Sequence, residues 1–306
     1  MHAGTARMSV GGATAVGFCA VILWSLLAPL TALSGRVPPF QLVAMSFATA
    51  ALLGLFYLAR TGAGIASLRK IPSGAWVLGV GGLFGYHFFY FLALRSAPAV
   101  EANLINYLWP LLIVLFSGLL NEVRTGGGLR WWHLAGAALG FSGTALIVTA
   151  GGSEAGPADG GGPWLGYAAA LAAALTWSTY SVANWRFARV PTTSVTIFCF
   201  ATAFLAALSH LAFEATVWPQ TPLEWAAAAG LGLGPVGAAF YVWDYGTKHG
   251  DIRVLGAAAY AAPLLSTFLL VSLGISRATP SLWLACLLIT GGAALAARDM
   301  LFRNRA

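Results

Sequence analysis

The sequence predicts an all-α membrane protein of ten transmembrane helices, arranged as two inverted five-helix repeats. Three observations carry that expectation. Hydrophobic residues make up 59% of the 306 residues and charged ones only 8%, where a soluble domain carries about a quarter charged. Ten stretches stay apolar over the roughly 20 residues that cross a bilayer. The two halves of the chain also match one another at a single ungapped offset.

The ten stretches are 10–33, 39–60, 73–95, 98–120, 130–150, 163–186, 193–215, 223–247, 252–275 and 280–298. The opening MHAGTARMSVGG runs into the first with neither a short apolar core nor a cleavage site, so it reads as the lead into a helix rather than a removed signal peptide. Connections are short except for GGSEAGPADGGGP at 151–163, a Gly-rich linker between residues 1–150 and 164–306. An even number of spans puts both termini on one side. Of the 16 Lys and Arg, only Arg36, Arg95 and Arg277 fall on the other side. The positive-inside rule then places the termini in the cytoplasm and the linker in the periplasm. The net charge of +7 is scattered singly and forms no nucleic-acid patch.

Sliding the chain by 153 residues aligns Trp24-Ser25 with Trp177-Ser178, Arg36-Val37-Pro38 with Arg189-Val190-Pro191, Tyr107 with Tyr260 and Pro110-Leu111-Leu112 with Pro263-Leu264-Leu265. Each half holds an odd number of spans, so the second half sits upside down relative to the first. Inverted repeats mark many secondary transporters, whose solute sites lie near the midplane between the halves. Duplication for packing alone is the plainer alternative.

Candidate site residues follow from helical angle. At 100° per residue, Tyr86, His87 and Tyr90 share one arc of the segment GYHFFYFLALRS, while Phe84, Phe88, Phe89 and Phe91 take others. Tyr and His in hydrocarbon need hydrogen-bond partners, so their shared face is expected to line an interior cavity. In the fourth stretch Asn103, Asn106, Tyr107 and Pro110 form one strip with Trp109 at its edge; in the sixth, Trp177, Ser181 and Asn184 align. Trp24, His87, Pro110 and Trp177 all lie about 18–21 Å into their spans, near the middle of a core about 30 Å thick. Tyr260 joins the set as the repeat mate of Tyr107. Aromatic walls suit a planar solute, and amides suit its polar end. A lone midplane ring is more often packing; several on converging faces favour a lining. His87 is read as a structural hydrogen bonder, a solute contact or a proton carrier.

Pro110 and Pro263 are expected hinges, since proline weakens a helix locally; a static kink is the alternative. Gly136-x-x-x-Gly140 fits either a dimer contact or intramolecular packing. Cys19, Cys199 and Cys286 lie in apolar runs and read as small buried hydrophobes, with no metal or cofactor expected. No ATP-binding loop motif occurs. No carboxylate sits mid-membrane: Glu101 and Glu214 lie near outer ends, and Asp244 is one turn from Lys248. A secondary carrier running down its solute gradient is expected, with His87 its only central titratable group.

The paired Trp-Ser, the Pro in stretches four and nine, and the ten-span 5+5 plan resemble the drug/metabolite transporter superfamily, in its EamA-like branch. YHFFY and NLINYLWP are most similar to the bacterial aromatic amino-acid exporters. The resemblance implies alternating-access export of Phe, Tyr and Trp across the inner membrane. The expected partners are that solute and the lipid bilayer, with no nucleic acid and a monomeric chain. The rivals are an exporter of another metabolite or drug, a membrane enzyme, for which His210 and Glu214 are the one suggestive pair, and a scaffold subunit.

Overall fold

A computed structural model describes residues 8–61, 71–109, 111–113, 115, 116, 119, 130–151, 163–187, 190, 191, 193–249, 255, 259, 261–296 and 298. All regular structure among them is helical, and some of it falls in every one of the ten apolar stretches. Among the described residues, five helical runs are long and apolar enough to cross a membrane by length and composition: Val10–Leu33, Pro39–Arg60, Ser73–Ser96, Ser194–Phe213 and Pro222–Trp243.

The first stretch is interrupted. Helix α1 (Val10–Ser25) opens on the Ser9 hydroxyl, which accepts the Gly12 amide at 3.1 Å. It closes at Leu26, and α2 (Leu27–Leu33) continues. Pro29 causes the break, because it has no N–H to offer the carbonyl four residues back, that of Ser25. Helices α3 (Pro39–Thr61) and α4 (Ser73–Ser96) run unbroken. The fourth stretch breaks after α5 (Ala99–Asn106), with Tyr107 leaving helical geometry. Helices α6 (Trp131–Gly151) and α7 (Trp164–Ala183) follow, the latter tightening into a 3-10 turn over Asn184–Phe187.

In the second half, α8 spans Ser194–Phe213. Helix α9 (Pro222–Leu233) starts on the Thr221 hydroxyl with proline in its first turn. It then widens into a π segment, Gly234–Ala238, around Pro235 before α10 (Ala239–His249) resumes. Helices α11 (Ala262–Ser272) and α12 (Pro280–Ala296) are the last of the described helices.

The tightest helix pairs are α6 with α12, α4 with α7, α3 with α8 and α1 with α10. Exchanging the first five stretches for the last five carries the α1/α10 pair onto α7/α4 and returns the other two pairs to themselves. The α6/α12 contact is backbone on backbone: a Cβ added to Gly136 would lie 2.5 Å from the Gly292 carbonyl oxygen. Gly136 therefore serves intramolecular packing in this fold.

One end of the molecule is tied by polar side chains. Glu214, just past α8, accepts the Phe40 and Gln41 amides at 2.9 and 3.0 Å at the start of α3. His210 holds Glu214 through Nδ1 and Thr216 through Nε2, both at 2.9 Å. The His210–Glu214 pair is thus consumed in capping a helix. Arg95 donates to the Val37 carbonyl at 3.1 Å and the Ser34 hydroxyl at 2.8 Å, and Tyr167 donates to Glu101. Cys199 and Cys286 are buried, but Cys19 is exposed; it lies on the outer face of α1, which corrects the expectation of three buried thiols. The side chains of Asp244 and Lys248 lie outside the described residues.

Candidate functional site

The segment 84–96 divides its rings as the helical angles require. Phe84 and Phe88 stack on Phe40 of α3, at 5.7 and 4.2 Å between centroids. Tyr86, His87 and Tyr90 turn inward and are buried. They line a cavity with Trp24 and Leu27 of the first stretch, Asn106, Tyr107 and Trp109 of the fourth, Trp177 of α7, Pro235 and Phe240 of the eighth, and Ala259 and Ala262 of the ninth.

The cavity gathers where helices are interrupted. Its lining takes in both sides of the break at Leu26, the bend at Tyr107, the π segment at Pro235 and the start of α11 ahead of Pro263. Irregular backbone is tolerated at membrane depth only where it is buried or faces a cavity, which explains the coincidence.

The rings close around this space. Tyr86 packs against Trp177 at 5.0 Å and lies parallel to Tyr90 at 5.8 Å. Trp24 leans on Trp243 at 5.1 Å, and Trp177 on Phe240 at 6.2 Å. The void left between them is about 30 Å³, room for a water or two.

His87 Nδ1 lies 2.9 Å from the Leu83 carbonyl. A carbonyl only accepts, so Nδ1 carries the proton and Nε2 remains to meet a solute or a second proton. Phe47 and Tyr86 stand edge-on to the imidazole at 4.8 Å each. Asn106 donates through Nδ2 to the Tyr86 hydroxyl at 3.2 Å. Its Oδ1 has no hydrogen-bond partner among the described residues, although the residue is only 2% exposed.

Of the sequence-expected residues, Trp24, Tyr86, His87, Tyr90, Asn106, Tyr107, Trp109 and Trp177 are brought together here. Asn103 is not among the lining. Its Oδ1 accepts from the Tyr90 hydroxyl at 2.6 Å and its Nδ2 donates to Ser266 at 2.9 Å, so both ends of the amide are spent behind the wall. Ser181 is half-buried one turn beyond Trp177 and does not reach the cavity. The Asn184 side chain, Tyr260 and Pro110 lie outside the described residues. Leu27, Pro235, Phe240, Ala259 and Ala262 were not expected; only Gly234-Pro235, a breaker pair inside an apolar run, offered a signal. The Ser of the second Trp-Ser pair ties two stretches together, since the Ser178 hydroxyl stands 3.0 Å from the Trp109 carbonyl and 2.6 Å from that of Ala174. Among the described residues no three His, Cys, Asp or Glu come together.

The model of the EamA-like transporter family matches this chain twice, over residues 12–149 and 164–298. The chain belongs to the EamA-like transporter family. As an EamA-like transporter it moves a solute and is not an enzyme. It is 52% identical to an aromatic amino acid exporter, YddG, of Ancylobacter novellus over 94% of this chain and 98% of that one. YddG exporters of Salmonella typhimurium and Escherichia coli are 26% and 27% identical, each over 92% of this chain and 96% of theirs. A solved crystal structure 50% identical in sequence superposes with a TM-score of 0.72, covering 95% of this chain and 98% of the other.

Proposed function

We propose that this EamA-like transporter exports aromatic amino acids across the bacterial inner membrane as a secondary carrier working by alternating access. The observation that carries the reading is the cavity: Trp24, Tyr86, Tyr90, Tyr107, Trp109 and Trp177 meet there beside the Asn106 amide, whose oxygen has no partner among the described residues. Aromatic pairs contribute about 0.5–1.5 kcal/mol each beyond burial, so these walls favour a planar ring over an aliphatic chain. The Asn106 oxygen suits the ammonium of an amino acid. The relatives named as aromatic amino acid exporters agree.

The 30 Å³ void is far below the roughly 300–1,000 Å³ of a small-molecule pocket. The void as it stands is too small for the solute, so solute entry requires movement at the interrupted helices. Pro263 and Pro235 adjoin two of those interruptions, and Pro110 is a hinge in the same scheme. His87 Nε2 is the solute contact in this reading.

The halves, 1–150 and 164–306, joined by a periplasmic linker at 151–163, act as inverted repeats with both termini cytoplasmic and the chain working as a monomer. Support comes from the two-fold exchange of helix pairs, the two separate family matches and the distribution of Lys and Arg. Counterflow of labelled Phe, Trp, Leu and Lys into proteoliposomes holding the purified chain tests the function. Phe and Trp exchange well above Leu and Lys is the expected result; equal exchange of all four, or none, would overturn it.

A further inference from the structure

A second, larger concavity lies between α4 and α7, on the far side of the wall that Tyr86 and Trp177 present to the central cavity. It is an open groove of about 800 Å³. Its mouth is at Ser73 and the exposed Arg186, and it runs past Gly74, Gly81 and Gly82 to Thr176. From Ser73 to Gly82 the depth is about 13 Å at helical rise.

Tyr180 separates the two spaces. Its ring lies 5.2 Å from Trp177, which lines the cavity, and Tyr180 itself lines the groove. Gly82 gives it room: a Cβ there would sit 2.5 Å from the Tyr180 ring. Phe187 closes the mouth over Gly74. Gly81 differs, since a Cβ at that position would meet nothing within 4 Å. It opens space instead of closing a helix contact.

The lining is mixed: Ser73, Thr179, Tyr180 and Arg186 are among its polar residues, beside the exposed apolar side chains of Val77 and Leu175. We propose that this groove is a loading site for the aromatic amino acid, holding its carboxylate at Arg186 and its ring against Tyr180 and Phe187 before passage into the cavity. The proposal rests on the export reading above. In the orientation proposed there, the mouth faces the cytoplasm, the side from which an exporter collects its cargo. A guanidinium matches a carboxylate in charge and in its paired donors.

The test compares two measurements on the full chain: labelled Phe counterflow in proteoliposomes and equilibrium Phe binding to the purified protein. Gly81→Trp projects a ring into the groove from a position whose Cβ meets nothing within 4 Å. Flux should fall at least about tenfold while binding stays within about twofold. Gly81→Ala adds one methyl to open space and should keep flux. Arg186→Gln should raise the KM for Phe about tenfold with kcat retained, and Arg186→Lys should recover part of the loss. Unchanged flux in Gly81→Trp, or joint loss of binding and flux, would overturn the loading site and leave the groove to lipid. An unmodified chain that neither binds nor carries Phe would instead defeat the export reading itself.

Discussion

The Tyr90 hydroxyl donates to Asn103 Oδ1 across 2.6 Å, and Asn103 Nδ2 passes the connection to Ser266 at 2.9 Å. Three stretches, the third, fourth and ninth, are thus pinned through one buried amide directly behind the cavity wall. Asn103→Ala orphans the Tyr90 hydroxyl and removes a partner of Ser266. Leaving a buried group unpaired costs about 1–3 kcal/mol, so thermal unfolding in detergent should shift down accordingly. Adding Tyr90→Phe removes the orphan and should recover part of that loss. A double variant no better than Asn103→Ala alone would contradict the coupling.

Asn106 is the reverse case. Among the described residues its side chain makes one bond, at 3.2 Å to Tyr86, and its oxygen has no partner. Asn106→Leu should cost little stability, about 1 kcal/mol or less. It should raise the KM for Phe about tenfold through the lost ammonium contact. Steady-state export at several solute concentrations, beside a melting curve, separates the two effects.

Trp177 touches Tyr86, Tyr180 and Phe240 through ring contacts. Trp177→Ala removes the ring that a planar solute would stack on. Preference for Phe over Leu in counterflow should drop about tenfold, the upper end of a single aromatic pair. Trp177→Phe should keep most of that preference.

Gly136 and Gly292 bring two backbones together. Gly136→Leu forces α6 and α12 apart, and overpacking of this kind costs about 1–3 kcal/mol or more. Folded yield should fall. If Gly136→Leu instead folded normally and lost only a dimer band on cross-linking, the glycine would belong to an intermolecular contact.

The sequence carried the helical plan and most of the inward-facing rings, because helical angle and chemical cost act together: Tyr86, His87 and Tyr90 cannot face hydrocarbon, whereas Phe84 and Phe88 can. Angle alone could not separate Asn103 from Asn106. They are one turn apart on the same strip, and only the positions of Tyr90 and Ser266 decide which amide is spent. Ser181 failed for a similar reason, as it shares Trp177's face but lies too far along the helix. Pro263 stood out through its repeat mate Pro110. Pro29 and Pro235 have no such mates, since Val182 and Gly82 occupy the matching positions, so an argument from internal symmetry passed over two of the helix interruptions. Cys19 was misplaced because an apolar run looks the same whether it faces protein or lipid.

The bond from Glu214 to the amides of Phe40 and Gln41 sets an order on biosynthesis. The leading turn of α3 emerges from the ribosome long before its cap does. At about 5–20 residues per second, the intervening chain takes roughly 10–35 s to make. For that interval, two backbone donors of a newly inserted helix must be served by water or lipid headgroups, and the first half cannot reach its final form until the seventh stretch has threaded the bilayer.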